Sequence, residues 1–163
     1  MISRAQSLAP MTCFVYGTLM SPHVVRVLIG RELEGQKAWL RNFSCHPVSK
    51  RVYPGIIPSE GKEVKVKGLL LMGLDQREIK ILDYFEDEGV DYSRQQVSVE
   101  VMGSDIKLTR IPSQAYVWNC GGDKLDLGNR WDYEKFLTQH LDGYLERVVK
   151  PCRTEVDELF KKP

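Results

Sequence analysis

The sequence has 163 residues, of which 42% are hydrophobic. This is enough for one domain with a buried core and argues against a second domain. The charges of its 23 basic and 22 acidic residues nearly cancel. The chain therefore lacks the net positive charge that would attract nucleic acid or an anionic membrane. No segment approaches the length of a membrane span. The four cysteines are far apart and form no C-x-x-C pair, which leaves a zinc site or a thioredoxin-like motif unsupported.

We expect residues 1–163 to form a single domain. Within it we expect a flexible N-terminus over residues 1–10, a core over 11–149 and a C-terminal tail over 150–163. Residues 1–10 lack the apolar stretch of a signal peptide. The cysteines are widely separated, and residues 1–10 show no apparent leader. We therefore expect a reducing, cytoplasmic location.

The first predicted elements are a strand, a turn and a capped helix. An apolar run over residues 11–16 predicts a buried strand. Ser21 and Pro22 fit the N-cap and first turn of a helix that ends at Gly30. Residues 36–48 indicate a strand with an irregular section. Residues 54–58 fit either an edge strand or a loop that lines a site.

The second half of the sequence adds three strands and two helices. Alternating and apolar patterns predict strands over residues 64–74, 93–101 and 115–118. Asp75 and Glu78 form a capping box that begins a helix stopping near Gly89. Residues 132–149 predict the longest helix, with one apolar stripe. Strands outnumber helices and often follow one another, so we expect an α+β fold with a largely antiparallel or mixed sheet.

The turn after the first strand is one candidate binding site. It consists of Tyr16, Gly17, Thr18, Leu19, Met20 and Ser21. A strand-to-helix turn that contains glycine exposes backbone N–H groups, which suit a carboxylate, a phosphate or an oxyanion. Such turns are common connections in globular proteins, so the pattern alone favours an ordinary connection.

A second candidate is the carboxylate of Glu86. At about 100° per residue, Glu86 shares a helical face with Ile79 and Leu82 near the helix C-terminus. Burial and the negative end of the helix dipole both disfavour its ionised form, so we expect a raised pKa that suits a general acid or base. The pattern alone favours the alternative, in which Glu86 and its acidic neighbours are exposed at a fraying helix end.

Several motifs together resemble a known family. They are FVYGTLM, RVYPGIIPS, GLLLMGLDQREIKILDYFED and YSRQQVSVEV, followed by YVW and WDYEKF. In this order, over residues 13–145, the chain is similar to the gamma-glutamylcyclotransferase-like family, and most to its plant avirulence-induced-gene-like branch. The resemblance implies a compact mixed β-barrel flanked by helices, with a cavity at one end. It also implies release of 5-oxoproline from a gamma-glutamyl compound by an acyltransferase- or lyase-type reaction, without metal or organic cofactor.

The resemblance also implies roles for the two candidates. The family's tyrosine–glycine loop matches residues 16–21 and holds the gamma-glutamyl group through backbone amides. Its catalytic glutamate matches Glu86. The branch pattern Glu-x-x-x-Tyr-x-Arg instead gives Glu88 when counted back from Tyr92 and Arg94. The shared helical face favours Glu86, and Glu88 stays as the alternative. For Tyr92 and Arg94 a structural role is at least as well supported, with Arg94 paired to Asp83.

The expected reaction needs no nucleophile from the enzyme. The substrate's own α-amine attacks its γ-carbonyl, and Glu86 takes and returns the proton. The expected partner is therefore a small gamma-glutamyl molecule. The alternative is a non-catalytic small-ligand-binding or stress-response interaction protein on the same fold. The identity of the leaving group and the oligomeric state stay open.

Overall fold

The computed structural model describes residues 10–61 and 63–161. Most of the predicted flexible N-terminus, residues 1–9, lies outside this range. The strands are β1 Met11–Val15, β2 Gly35–Arg41, β3 Phe43–Pro47, β4 Pro54–Pro58, β5 Lys65–Leu74, β6 Tyr92–Met102 and β7 Leu108–Trp118. The helices are α1 Pro22–Ile29, α2 Gln76–Phe85, α3 Tyr133–Gln139, α4 Leu141–Tyr144, a π-helical segment Leu145–Val149 and α5 Lys150–Leu159. Two short 3-10 turns, Thr18–Met20 and Gly122–Lys124, complete the elements.

Five strands form a closed barrel in the order β1-β5-β2-β6-β7. All neighbours are antiparallel except β1 and β7, which pair in parallel where Phe14 lies beside Ala115. β3 and β4 form a separate two-stranded antiparallel sheet. The predicted α+β class and mixed barrel flanked by helices are confirmed. The irregular section expected within residues 36–48 is Asn42, whose φ of 66° separates β2 from β3.

The core consists of two clusters of buried residues that share β1. Phe14 packs with Leu70 and Val99 in one cluster, while its neighbours Cys13 and Val15 pack with residues of α1 and α2 in the other. Successive residues of a strand point to opposite faces, so one short strand serves both clusters. This places the end of β1, and the turn that follows it, between the barrel and the helices.

The end of α1 and the start of α2 agree with the sequence predictions, whereas α2 ends at Phe85, four residues before Gly89. Gly30 ends α1 in the left-handed conformation, with φ 86°, as expected for a C-terminal glycine. At the start of α2, the Glu78 N–H donates to Asp75 Oδ1 at 2.7 Å and the Asp75 N–H donates to Glu78 Oε1 at 3.0 Å. The capping box is therefore complete.

The prediction of one continuous helix over residues 132–149 was wrong. His140, with φ −126° and ψ −21°, leaves the helical region and separates α3 from α4. After α4 the helix widens into the π segment, where the Lys150 N–H donates to the carbonyl of Leu145. Pro151 follows directly, and its missing N–H removes a donor that a regular α-helix would use there.

The segment predicted as a C-terminal tail contains α5, which packs on the rest of the chain. Val156 is fully buried, and Arg153 Nη1 donates to the carbonyl of Leu28 at 2.7 Å. These contacts fix α5 against α1. No helix in residues 10–61 or 63–161 is long and apolar enough to cross a membrane.

Candidate active site

A cavity of about 180 Å³ opens between the turn after β1, the end of α2 and the C-terminal helices. Its wall is rich in tyrosine and contains two carboxylates, Glu86 and Asp91. Among the described residues that line it, none is lysine, arginine or histidine. The lining tyrosines are Tyr16, Tyr53, Tyr92, Tyr116 and Tyr144. The wall is thus partly aromatic, rich in hydroxyl groups and without a cationic side chain.

Glu86 is the C-cap of α2, where the chain leaves the helix through a Schellman motif. The Glu88 N–H donates to the carbonyl of Asp83 at 2.9 Å, and the Asp87 N–H donates to that of Tyr84 at 3.2 Å. Asp87 takes the left-handed conformation, with φ 52°, in the position usually held by glycine. These bonds fix the backbone of Glu86, so that its side chain lines the cavity.

The carboxyl group of Glu86 has an unusual electrostatic environment. It accepts no hydrogen bond from residues 10–61 or 63–161. Burial raises its pKa to about 8, and repulsion from Asp91 contributes to the rise. Desolvation disfavours the charged form, and the cavity wall supplies no cation to restore it. Glu86 can therefore gain or lose a proton near neutral pH.

Glu88 lies in a different environment. It is exposed, its Oε2 accepts from the Arg94 backbone N–H at 3.0 Å, and it borders a surface groove instead of the cavity. The structure therefore brings Glu86, and not Glu88, to the cavity. The catalytic role of either residue stays a prediction.

Four residues of the predicted binding loop line the same cavity as Glu86: Tyr16, Gly17, Thr18 and Leu19. Met20 and Ser21 do not. The 3-10 turn begins with the bond from the Met20 N–H to the carbonyl of Gly17, at 3.0 Å. The N–H groups of Thr18 and Leu19 precede this bond and have no acceptor within the turn.

Gly17 allows close contact between the loop and β4. A Cβ atom at this position would lie 2.8 Å from two ring carbons of Pro54, which is inside van der Waals contact. The Tyr92 hydroxyl donates to the carbonyl of Pro54 at 2.7 Å, so Pro54 also joins β6. Pro54 lines the cavity from within a strand, so the segment 54–58 is an edge strand whose first residue is part of the wall.

A polar network supports the wall from behind. Asp83 Oδ1 accepts from the Tyr116 hydroxyl and from Arg94 Nε, both at 2.8 Å. The Tyr16 hydroxyl donates to the carbonyl of Tyr116 at 2.6 Å. The predicted pairing of Arg94 with Asp83 is confirmed, and it connects α2 to the barrel.

Several wall residues were missed in the sequence. These are Tyr53, Asp91, Tyr116, Tyr144, Phe85 and Val148, together with Phe14 and Val15 of β1. Asp91 directly precedes Tyr92, a position that could have drawn attention to it. In the sequence, Tyr144 and Val148 belong to the apolar stripe of a predicted helix. Such a stripe indicates packing against the core and does not predict a cavity. In the described part of the chain, no group of three or more His, Cys, Asp or Glu side chains could hold a metal ion.

Comparisons with known proteins agree on one family. A family model described as "Gamma-glutamyl cyclotransferase, AIG2-like" matches residues 13–135. AIG2-like protein D of Arabidopsis thaliana is 38% identical over 133 residues, which is 82% of this chain and 83% of that protein. AIG2-like protein C of the same plant is 41% identical over 137 residues, 84% of this chain and 75% of that protein. A solution structure of an Arabidopsis thaliana protein with 28% identity superposes with a TM-score of 0.63, covering 96% of this chain and 97% of that one.

Proposed function

Because the chain belongs to the gamma-glutamyl cyclotransferase, AIG2-like family, we propose that it cyclises a gamma-glutamyl compound to 5-oxoproline and releases an amine or amino acid. One observation carries this proposal. Glu86, whose carboxyl group has a raised pKa and no protein partner among the described residues, lines the same cavity as Tyr16 to Leu19. A proton-exchanging group and free backbone donors are the two components that this reaction requires.

The proposed reaction is an internal acyl transfer. The α-amino nitrogen of the substrate attacks its own γ-carbonyl carbon and closes a five-membered ring. The bond from that carbon to the leaving nitrogen then breaks. Glu86 takes a proton from the attacking nitrogen and delivers a proton to the leaving nitrogen, so it ends in its starting state. The reaction consumes no water, and confinement of the substrate in a small cavity favours the ring-closing geometry.

The loop after β1 supplies the electrostatic part of the proposal. The oxygen of the γ-carbonyl becomes negative as the ring closes. The unused N–H groups of Thr18 and Leu19 can hold the substrate or this oxygen, as fixed backbone donors do in other acyl transfers. Gly17 keeps the loop close to Pro54, which preserves the shape of the wall against which the substrate rests.

The raised pKa of Glu86 suits both of its proposed tasks. A general base must be strong enough to take a proton from an ammonium-like nitrogen, and a general acid must give it back. A carboxyl group with a pKa of about 8 serves both better than an ordinary glutamate, whose pKa is 4.5. We further propose that the protein acts in the cytoplasm on a small gamma-glutamyl compound, without a metal or organic cofactor.

The proposal is tested by measuring 5-oxoproline release from a panel of gamma-glutamyl compounds. The panel contains gamma-glutamyl amino acids, a gamma-glutamyl dipeptide and gamma-glutamyl amines. Wild type should release 5-oxoproline from at least one compound. Glu86→Gln should lose at least about 100-fold in kcat, because proton transfer by a positioned side chain contributes about that much or more. Glu88→Gln is the matched control and should keep near wild-type activity.

Each contrary result has a definite meaning. No release from any compound would refute the enzyme and support the non-catalytic binding protein, provided that circular dichroism shows a folded chain. An active Glu86→Gln beside an inactive Glu88→Gln would transfer the catalytic role to Glu88.

A further inference from the structure

The proposed substrate presents an anion to a cavity that has no cationic side chain. A gamma-glutamyl group carries an α-carboxylate, and Asp91, whose charge already disfavours ionisation of Glu86, would repel it. With no lining lysine, arginine or histidine among the described residues, the α-carboxylate needs neutral hydrogen-bond donors.

The hydroxyl groups of three wall tyrosines are already used. Tyr16 donates to the carbonyl of Tyr116, Tyr92 to that of Pro54, and Tyr116 to the carboxylate of Asp83. The hydroxyl oxygens of Tyr53 and Tyr144 accept hydrogen bonds from the side chains of Arg51 and Thr18. Among the described residues, neither hydroxyl has an acceptor for its own hydrogen. These two phenols are the candidates to donate to a ligand.

Tyr144 is the better placed of the two. It is 7% exposed, whereas Tyr53 is only partly buried and interacts with Arg51. The Tyr144 ring is held edge-on by Phe85, with centroids 6.4 Å apart, and by Phe136, with centroids 5.4 Å apart. A ring fixed in this way loses little conformational entropy when its hydroxyl binds a ligand.

The hydroxyl of Tyr144 stays a donor at physiological pH. Burial raises the pKa of the phenol, and a hydrogen bond that the Thr18 hydroxyl donates to the phenol oxygen offsets part of that rise. Thr18 belongs to the candidate binding loop, so the phenol lies beside the residues whose backbone N–H groups are unused. A hydroxyl that accepts one hydrogen bond can still donate its own hydrogen, here to a ligand in the cavity.

We propose that the Tyr144 hydroxyl donates a hydrogen bond to the α-carboxylate of the gamma-glutamyl substrate. Tyr144 lies in α4, beyond residues 13–135 that match the family model. The substrate site therefore extends into the C-terminal helices. This inference rests on the proposed function, because it takes the gamma-glutamyl group as the ligand.

The test compares two ligands that differ only in charge at the α position: 5-oxoproline and its carboxamide, 5-oxoprolinamide. Their dissociation constants are measured by isothermal titration calorimetry on wild type and Tyr144→Phe. A hydrogen bond to a charged group contributes about 1.5–3 kcal/mol, so Tyr144→Phe should bind 5-oxoproline about 10- to 100-fold more weakly. The loss for the carboxamide should be smaller, so the preference for the acid shrinks. A purely structural role for the ring would weaken both ligands equally.

Tyr84→Phe is the matched control. The Tyr84 hydroxyl donates to Glu155 at 2.7 Å, and Tyr84 does not line the cavity. This variant should bind both ligands like wild type.

The kinetics of 5-oxoproline release give a second measurement on Tyr144→Phe. This variant should raise KM more than it lowers kcat, because the hydrogen bond to the α-carboxylate is made in the ground state and in the transition state alike.

The outcomes separate the two proposals. If wild type binds 5-oxoproline and Tyr144→Phe binds it equally well, the role of Tyr144 is refuted and the proposed function stands. Equal weakening of both ligands also refutes it. If wild type neither binds 5-oxoproline nor releases it from any substrate, both proposals are refuted.

Discussion

Asp83 and Arg94 join the last turn of α2 to β6 through two side-chain hydrogen bonds. Arg94 Nε lies 2.8 Å from Asp83 Oδ1, and Arg94 Nη2 lies 3.2 Å from Oδ2. Tyr116 donates to the same carboxylate, so the pair also holds a residue of the cavity wall. The side chains of Asp83 and Arg94 are only 24% and 27% exposed, which places the pair between a surface and a buried ion pair.

Arg94→Met should therefore destabilise the fold. The substitution leaves the Asp83 carboxylate partly buried with Tyr116 as its remaining donor, and we expect a loss of about 1–3 kcal/mol in the free energy of unfolding. Urea denaturation followed by circular dichroism measures it. Lys150→Met is the control, since it breaks the exposed pair with Glu146 and should cost less than about 0.5 kcal/mol. Equal losses in the two variants would contradict a structural role for the Asp83–Arg94 pair.

One glutamate should titrate well above the others. In protein labelled with ¹³C at the glutamate carboxyls, we expect one resonance with a midpoint near the Glu86 pKa of about 8. It should be missing in Glu86→Gln. Asp91→Asn should lower the midpoint without bringing it to the ordinary value, because burial is the larger cause of the shift and Asp91 the smaller.

The other ionisable groups that interact with Glu86 are phenols and thiols, which are neutral at this pH. They are Cys13, Tyr16, Tyr53, Tyr92, Tyr116, Tyr144 and Cys152. A spectrum with every midpoint below 6 would contradict the buried site.

The same shift predicts how stability depends on pH. Between the ordinary pKa of 4.5 and the folded value of about 8, folded Glu86 holds a proton that the unfolded chain releases. The folded state binds more protons in this window, so Glu86 makes the free energy of unfolding fall as pH rises. Its total contribution is at most about 5 kcal/mol, from 1.36 kcal/mol per unit of pKa. Urea denaturation between pH 4.5 and 8.5 should show a steeper fall for wild type than for Glu86→Gln. Parallel curves would mean that the pKa of Glu86 is not raised by folding.

The two helix N-caps should respond differently to alanine. Asp75 accepts from the Glu78 N–H, so Asp75→Ala should cost about 0.5–2 kcal/mol of stability. Ser21 occupies the N-cap of α1, but its buried hydroxyl has no partner among the described residues. Ser21→Ala removes that unsatisfied group and should leave stability unchanged or raise it. Thermal unfolding of both variants measures these changes in stability. If Ser21→Ala destabilises the protein as much as Asp75→Ala does, the Ser21 hydroxyl is hydrogen-bonded.

Local sequence signals predicted α2 and the position of Glu86 well. Asp75 and Glu78 are three residues apart and bond to each other, so the start of the helix depends on neighbours in the chain. From that start, helical spacing places Glu86 on the face of Ile79 and Leu82 without tertiary information. The family expected from the motifs of residues 13–145 is likewise confirmed.

The rest of the cavity wall depends on contacts between distant segments. Tyr53, Tyr116 and Tyr144 are separated by at least 28 residues, and each looks like an ordinary aromatic residue in its own segment. The break at His140 was also not predictable, since neither proline nor glycine marks it and apolar residues continue at helical spacing on both sides. Tertiary packing, and not local preference, determines both features.

The π segment Leu145–Val149 sets the angle at which Tyr144 meets the cavity. A π turn accommodates one residue more than an α turn, and each residue of an α-helix advances the side chains by about 100°. Val156 and Arg153 anchor α5 to the protein, so the additional residue determines the rotation of α4 relative to this anchor. Deletion of a single residue from the segment should rotate α4 relative to α5 by about 100° and move the Tyr144 ring out of its place in the cavity wall. The shape of the cavity thus depends on the number of residues in a helix as well as on their identity.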